Sequence, residues 1–195
     1  MHASHKDLTM HEAVDRDASG VPKAFRIWAN GWTHTDKGDH LFDELAASRL
    51  LEEQACRGNR YSVDYDHLSL SDLAPPEARI AAGSFRLEVR RDRNGKPELW
   101  ATDCRWTSKA RAGLIAGEWP SMSPAYDVDT KTRRVTGFLN IALTGNPATH
   151  NAPRLSLAAS ASGRARIAAN RLQSATDVSA VVASLESQMT FDDIL

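Results

Sequence analysis

The strongest constraint on the fold is a β-hairpin centred on Asn94-Gly95. In residues 85–89 apolar and charged side chains alternate, and residues 99–106 continue as a second strand after the turn. Asn-Gly provides the positive φ angles that tight hairpin turns require. The alternation along the second strand predicts one face for three side chains, Trp100, Cys104 and Trp106. The centre of the chain is therefore rich in β-structure.

Further strands are predicted on both sides of the hairpin. Residues 24–29 alternate apolar and polar side chains and form a first strand. Residues 126–128 and 135–139 form a later strand pair around a polar turn.

Two helices interrupt the strands. Residues 41–56 contain good helix formers and end before Gly58, the residue type that most often closes a helix. A shorter helix begins after Thr107, a favoured N-cap, and ends at Gly117. The leucines expected on the buried face of the longer helix are Leu41, Leu45, Leu50 and Leu51.

The composition indicates an ordinary globular protein. Of the 195 residues 42% are hydrophobic and 25% are charged, and this length favours one domain. The net charge of -1 gives no reason to expect direct binding to nucleic acid or an anionic membrane. Cys56 and Cys104 have neither a redox nor a zinc-ligand spacing. Because no apolar signal segment or stretch of about 20 apolar residues occurs, we expect a cytoplasmic protein.

The chain divides into four parts by composition. Residues 1–22 are polar and rich in turn residues, so we expect a flexible lead-in. Residues 23–153 contain the predicted strands and helices. Residues 154–176 are rich in Ala, Ser and Arg, which predicts a linker, and residues 177–195 predict a helical tail with one apolar side.

His67 and Ser123 are the candidate catalytic pair. His67 ends a predicted strand, and Ser123 lies between two prolines with Ser121 as a competitor on the same strand face. A serine hydroxyl is a poor nucleophile until a base such as imidazole takes its proton, so the pair suggests acyl transfer, most simply proteolysis. Taken singly, His67 also fits a half-buried structural histidine, and both serines fit turn or strand positions.

The residue that would orient the imidazole is not given by spacing alone. A carboxylate can fix an imidazole tautomer, and Asp64 and Asp66 lie close by in the sequence. In a regular strand, however, both carboxylates point away from the face that carries His67. The sequence has no Gly-x-Ser-x-Gly elbow, so an α/β-hydrolase is not indicated.

Other polar groups favour structural roles. One loop holds four side chains that could in principle bind a metal, but their spacing is more typical of a solvated turn: His34, Asp36, Asp39 and His40. Arg133 and Arg134 could contact an oxyanion, yet their place at a polar hairpin turn favours a solvated pair. Cys104 on a buried strand face is expected to be inert packing.

Five short motifs occur in order between residues 24 and 150. They are Val-Asp-Tyr-Asp-His at 63–67, Ile-Ala-Ala-Gly-Ser-Phe at 80–85, Arg-Trp-Thr with a following Ala at 105–110, Ser-Met-Ser-Pro-Ala-Tyr at 121–126, and Ala-Leu-Thr-Gly-Asn-Pro-Ala at 142–148. In this order they resemble the Mu-type phage I protein family of capsid-maturation proteases, which is distantly similar to the herpesvirus assemblins.

The resemblance implies a fold and a catalytic site. The fold would be α+β, with a compact, mainly antiparallel β-barrel-like core flanked by a few helices, and residues 23–153 would be the protease domain. By the family pattern His67 would be the base and Ser123 the nucleophile. Asn140 stands where related proteases carry an acidic residue, and an amide there would still accept from the imidazole. No cofactor and no metal are implied.

The resemblance also implies a biological setting. The protein would be a serine endopeptidase that cleaves the internal scaffold protein, and also itself, during procapsid maturation. Its partners would be the scaffold and major capsid proteins inside the procapsid, in the cytoplasm of the bacterial host, and a homo-oligomer is compatible with this setting. Neither nucleic acid nor membrane would be a direct partner.

Two other functions stay open from the sequence. One is a noncatalytic assembly protein in which the protease-like fold serves only as scaffold. The other is a metal-dependent hydrolase that uses Asp64, Asp66 and His67.

Overall fold

The computed structural model of the protein describes residues 13–58 and 60–156. It contains nine strands and two helices in these ranges. The strands are β1 (Val14–Arg16), β2 (Pro22–Trp28), β3 (Gly31–Thr33), β4 (His40–Phe42), β5 (Tyr61–Tyr65), β6 (Gly83–Arg91), β7 (Pro97–Trp106), β8 (Ser121–Val128) and β9 (Val135–Thr144). The helices are α1 (Glu44–Arg57) and α2 (Ser108–Ala116).

Seven strands form one curled sheet that makes a half-barrel. The strand order is β1-β2-β7-β6-β5-β9-β8, and β3 and β4 form a separate pair. Every neighbouring pair of the large sheet is antiparallel except β5 and β9, which run parallel. This architecture confirms the predicted α+β class with a mainly antiparallel, barrel-like core.

The central hairpin is confirmed as the β6–β7 pair. Its turn contains Gly95 at φ 72°, and the Asp92 carboxylate accepts hydrogen bonds from the backbone N–H groups of Asn94 and Lys96. A side chain that caps the turn in this way satisfies donors that the strands cannot reach.

The prediction that Trp100 shares a face with Cys104 and Trp106 was wrong. The β6–β7 register shifts between Ser84 and Arg86, and Asp103 on the opposite strand has a φ of 47°. An extra residue of this kind breaks the alternation of side chains along a strand. Cys104 and Trp106 therefore pack against the core, whereas Trp100 lies outside the core cluster beneath the Arg90 guanidinium.

Both helices carry the caps that the sequence predicts. The Asp43 side chain accepts from the N–H of Ala46, the Thr107 side chain accepts from the N–H of Ala110, and each helix ends at a left-handed glycine. The predicted leucine face of α1 was wrong, because the helix begins after Leu41. Its buried residues are Ala46, Ala47 and Leu50, and it leaves Leu45 and Leu51 exposed.

The hydrophobic core extends beyond the predicted domain boundaries. It contains five fully buried aromatic side chains: Phe25, Phe42, Tyr61, Phe85 and Phe138. Burial of each such side chain stabilises the fold by roughly 1.5–3 kcal/mol. Residues 13–22 are not a flexible lead-in, since β1 pairs with β2 and Val14 and Val21 are buried. At the other end Leu155 is also fully buried.

The remaining predicted boundaries fall outside the described residues, namely the linker beyond residue 156 and the tail over 177–195. Of the helices that the structure does describe, none is long and apolar enough to cross a membrane.

Candidate active site

His67 is held on a left-handed turn rather than at the end of a strand. The strand β5 ends at Tyr65, and the next two residues, Asp66 and His67, have φ angles of 50° and 58°. Asp and His are among the non-glycine residues that tolerate this region best. A short 3-10 helix, Leu68–Leu70, follows, and the His67 carbonyl accepts from the N–H of Leu70 at 3.0 Å. The turn brings the imidazole back over the sheet.

The imidazole meets Asn140 of the neighbouring strand. The distance from His67 Nδ1 to Asn140 Oδ1 is 3.0 Å, and Asn140 is 1% exposed. A β-bulge aims this amide, because Ala125 pairs with Asn140 whereas Tyr126 pairs with Phe138 and leaves Leu139 unpaired. The bulge lets Phe138 face the core while Asn140, two residues on, faces the other side of the sheet.

Ser123 lies on the same face of the sheet as Asn140. It pairs with Ala142 of β9, and Ala142 pairs in turn with Asp64 of β5. Paired residues share a face, and Asn140 is two residues from Ala142, so Ser123 and Asn140 are diagonal neighbours about 7–8 Å apart. Ser123 is 8% exposed. No hydrogen bond joins Ser123 to His67 in the described chain, and such bonds often tighten only when substrate is bound.

Ser121 lies one pleat further from the amide. It pairs with Thr144, which is four residues from Asn140 along β9. Both serines are on the same face of β8, as the sequence predicts, but the register places Ser123 closer to Asn140. The geometry therefore favours Ser123 over its competitor.

A buried carboxylate completes the group. Asp64 is 1% exposed, and its Oδ2 accepts from the backbone N–H and the hydroxyl of Ser69 and from Asn140 Nδ2. Asn140 Nδ2 also donates to Ser69 Oγ at 3.0 Å. No feature of the sequence points to Ser69, an exposed residue of the 3-10 helix that follows His67. The alternation of side chains along a regular strand predicted Asp64 on the face opposite His67. That prediction was wrong because residues 66 and 67 form a left-handed turn.

The other candidate residues lie apart from this group. His34 pairs with Asp39, and Asp36 pairs with His150, all on the surface. Within residues 13–58 and 60–156 no three His, Cys, Asp or Glu side chains are grouped so that they could hold a metal ion.

The two arginines of the β8–β9 turn are bound to the segment beside it. Arg133 Nε donates to the carbonyl of Asp39, and Arg134 Nε donates to both carboxylate oxygens of Asp43. These hydrogen bonds hold the turn against the residues beside β4 and at the start of α1. The prediction of a solvated arginine pair was therefore wrong. Cys104 is half-buried, and burial raises the pKa of its thiol to about 12, which keeps it in the unreactive thiol form.

His40, the last of the four possible metal-binding side chains in this loop, is a core residue. It is fully buried, its Nδ1 is 2.6 Å from the Tyr126 hydroxyl, and its ring contacts Trp28 at a centroid distance of 4.9 Å. Burial lowers the pKa of His40 to about 4, so the ring is neutral near pH 7.

Two comparisons relate this chain to known proteins. Residues 25–156 match the family described as Mu-like prophage I protein, N-terminal domain. The chain is 31% identical over 109 residues to Protease I of Escherichia phage Mu, an alignment that covers 55% of this chain. It spans only 30% of the length of that relative. No solved structure gives a significant match.

Proposed function

The chain belongs to the family of Mu-like prophage I proteins, and from that membership we propose that it is a serine endopeptidase with Ser123 as nucleophile and His67 as base. The observation that carries the proposal is the hydrogen bond between His67 and Asn140 on the sheet face that also holds Ser123. An imidazole that is held by a buried amide near a serine is one arrangement that can carry out acyl transfer.

The hydrogen bonds of Asn140 define the state of the imidazole. Because Asn140 Oδ1 is an acceptor, the proton of the neutral ring lies on Nδ1 and the lone pair lies on Nε2. In the proposed reaction Nε2 takes the Ser123 hydroxyl proton while the oxygen attacks the carbonyl carbon of a peptide bond. The protonated ring then gives that proton to the leaving amine, and water hydrolyses the acyl-enzyme by the same steps in reverse.

The relative named Protease I agrees with a protease activity. For this chain we propose a role in phage capsid maturation, with the internal scaffold protein as substrate and the chain itself as a second substrate. The scaffold and major capsid proteins of the procapsid, in the host cytoplasm, would then be its partners.

A fluorophosphonate tests the proposed nucleophile without knowledge of the natural substrate, because it phosphonylates only serines that are activated by a base. We expect one adduct per chain, located on Ser123 by mass analysis of peptides. Ser123→Ala and His67→Ala should each lower labelling by several orders of magnitude. Ser121→Ala is the matched control on the same strand face and should label at nearly the normal rate.

The same experiment separates the alternatives. An adduct on Ser121 that is absent in Ser121→Ala would show that Ser121, one pleat away on β8, is the nucleophile instead of Ser123. A folded protein that takes no label at either serine and cleaves neither itself nor a denatured protein would favour the noncatalytic assembly role. Activity lost in EDTA and restored by a divalent metal would favour the metal-dependent hydrolase.

A further inference from the structure

Asp64 is a buried carboxylate that has no cationic partner among the described residues. The residue is 1% exposed, and among the described residues none forms an ion pair with it. Burial of an unpaired carboxylate is costly unless hydrogen bonds compensate for the lost water. All the compensation in the structure reaches one oxygen, Oδ2, from Ser69 and Asn140. The other oxygen, Oδ1, has no hydrogen-bond partner.

The contact between Asp64 and Asn140 fixes the direction of the amide. A carboxylate only accepts hydrogen bonds, so the group 3.1 Å from Oδ2 must be the amide NH₂. Rotation of the amide by half a turn would place Oδ1 against the carboxylate and an N–H against His67 Nδ1. The lone pair of the imidazole would then have to lie on Nδ1, and Nε2 would carry the proton.

We propose that Asp64 is a positioning residue, which acts through Asn140 to keep the lone pair of His67 on Nε2, where it can take the Ser123 proton. The inference rests on the proposed function, since it concerns how the same base is prepared. It differs from a purely structural role, in which Asp64 would only fasten the turn that carries Ser69.

The arrangement also gives a physical reason for an amide at position 140. A carboxylate there would lie about as close to Asp64 as the amide now does, at 3.1 Å. Two carboxylates at that separation cannot both be ionised. An amide avoids this repulsion and forms hydrogen bonds with both His67 and Asp64.

Two substitutions of Asp64 test the proposal. Asp64→Val removes the acceptor with little change in volume, whereas Asp64→Asn keeps one carbonyl oxygen to receive the Asn140 and Ser69 donors. The matched control is Asp66→Asn, the same chemical change on the exposed neighbouring carboxylate.

The first readout is the tautomer of His67, measured from the ¹⁵N shifts of its ring and assigned by their loss in His67→Gln. The second is the fluorophosphonate reaction, separated into a binding constant and a maximal labelling rate. In Asp64→Val we expect the Nε2 lone-pair form to lose its dominance and the maximal rate to fall at least about tenfold, with binding unchanged. Asp64→Asn should keep the tautomer and most of the rate, and Asp66→Asn should match the unmodified protein.

A folded Asp64→Val protein with the original tautomer and rate would overturn the proposal. Because this variant could fail to fold, a charge exchange provides a second test. Asn140→Asp alone should be poorly folded or at least tenfold slower, and adding Asp64→Asn should restore much of the folding or the rate. Absence of any such rescue would also overturn it.

The tautomer separates this inference from the proposed function. A tautomer that follows the Asp64 variants in a protein with no labelling and no proteolysis would retain the positioning role and exclude the peptidase. A normal labelling rate together with a His67 tautomer that does not change in the Asp64 variants would retain the peptidase and exclude the positioning role.

Discussion

At the scale of single residues, His40 shows how strongly burial acts on an ionisable group. Its ring is enclosed by Trp28 and Tyr126, and its Nε2 has no hydrogen-bond partner. The protonated ring would therefore carry a charge into an apolar environment. This loss of hydration is the main cause of its lowered pKa, followed by the nearby charge of Arg133.

This residue predicts an acid-sensitive stability. The pKa of His40 is about 4 in the folded protein and about 6.5 when unfolded, so between these values only the unfolded state takes up the proton. The free energy of unfolding should fall as the pH falls from about 6.5 to 4, by up to about 3 kcal/mol from this group, and its contribution should level off outside that range. Urea unfolding at a series of pH values measures it.

His40→Gln should be less stable near pH 7. Its free energy of unfolding should, however, change much less between pH 6.5 and 4 than that of the unmodified protein. His34→Asn, on the exposed end of the same loop, is the control and should keep the slope of the unmodified protein. An unchanged slope in a folded His40→Gln protein would assign the acid sensitivity to other groups.

The candidate site could be predicted only in part from the sequence. The motifs predicted His67, Ser123 and Asn140 as site residues. The structure brings His67 and Asn140 into contact and places Ser123 on the same face of the sheet. The connection to Asp64 was missed because the alternation rule assumes a regular strand through residue 67. Two successive left-handed residues are not visible in the sequence, since Asp and His occupy many conformations.

At the scale of elements, turns and helix caps were predicted more reliably than the sheet face on which a side chain lies. The Asn94-Gly95 turn and the caps Asp43 and Thr107 depend on neighbouring residues, and they occur as the local sequence predicts. Bulges change which face a side chain occupies, as at Asp103 and Leu139, and they depend on pairing with a distant strand. For that reason strand positions were predicted better than strand faces.

The β6–β7 pair needs a glycine where β6 begins. A Cβ on Gly83 would collide with the backbone carbonyl oxygen of Arg105, which cannot move without disturbing the pairing. We expect Gly83→Ala to lower the free energy of unfolding by about 1–3 kcal/mol. Gly145→Ala is the control, because that position has open space and no positive φ, and its change should stay within about 0.5 kcal/mol. Equal values for both variants in urea unfolding would contradict the prediction.

At the scale of the whole molecule, the last described residues lie beside the start of the strand that carries the candidate nucleophile. Leu155 N–H donates to the carbonyl of Pro120 at 2.9 Å, and Pro120 directly precedes β8. Ser123 lies three residues further along, or about 10 Å of extended chain. The Ala/Ser/Arg segment of residues 157–170, which lies outside the described residues, therefore begins within a few residues' reach of Ser123.

We predict self-cleavage within that segment, since its small side chains suit an extended substrate. Purified protein should shorten from its C-terminal side over time, and intact-mass analysis should place the cuts between residues 157 and 170. Ser123→Ala should stay intact. Identical trimming of Ser123→Ala would show that another protease is responsible.

The parallel pairing of β5 with β9 has a consequence for the order of folding. His67 and Asn140 are 73 residues apart in the chain, and they meet only when the last strand inserts between β5 and β8. Contacts of such long range form slowly, because a large loop must close before they gain any energy. A nascent chain that ends before residue 140 holds the histidine and the serine but not the amide that fixes the imidazole. The site is thus complete only after β9 has been synthesised and has paired with both β5 and β8.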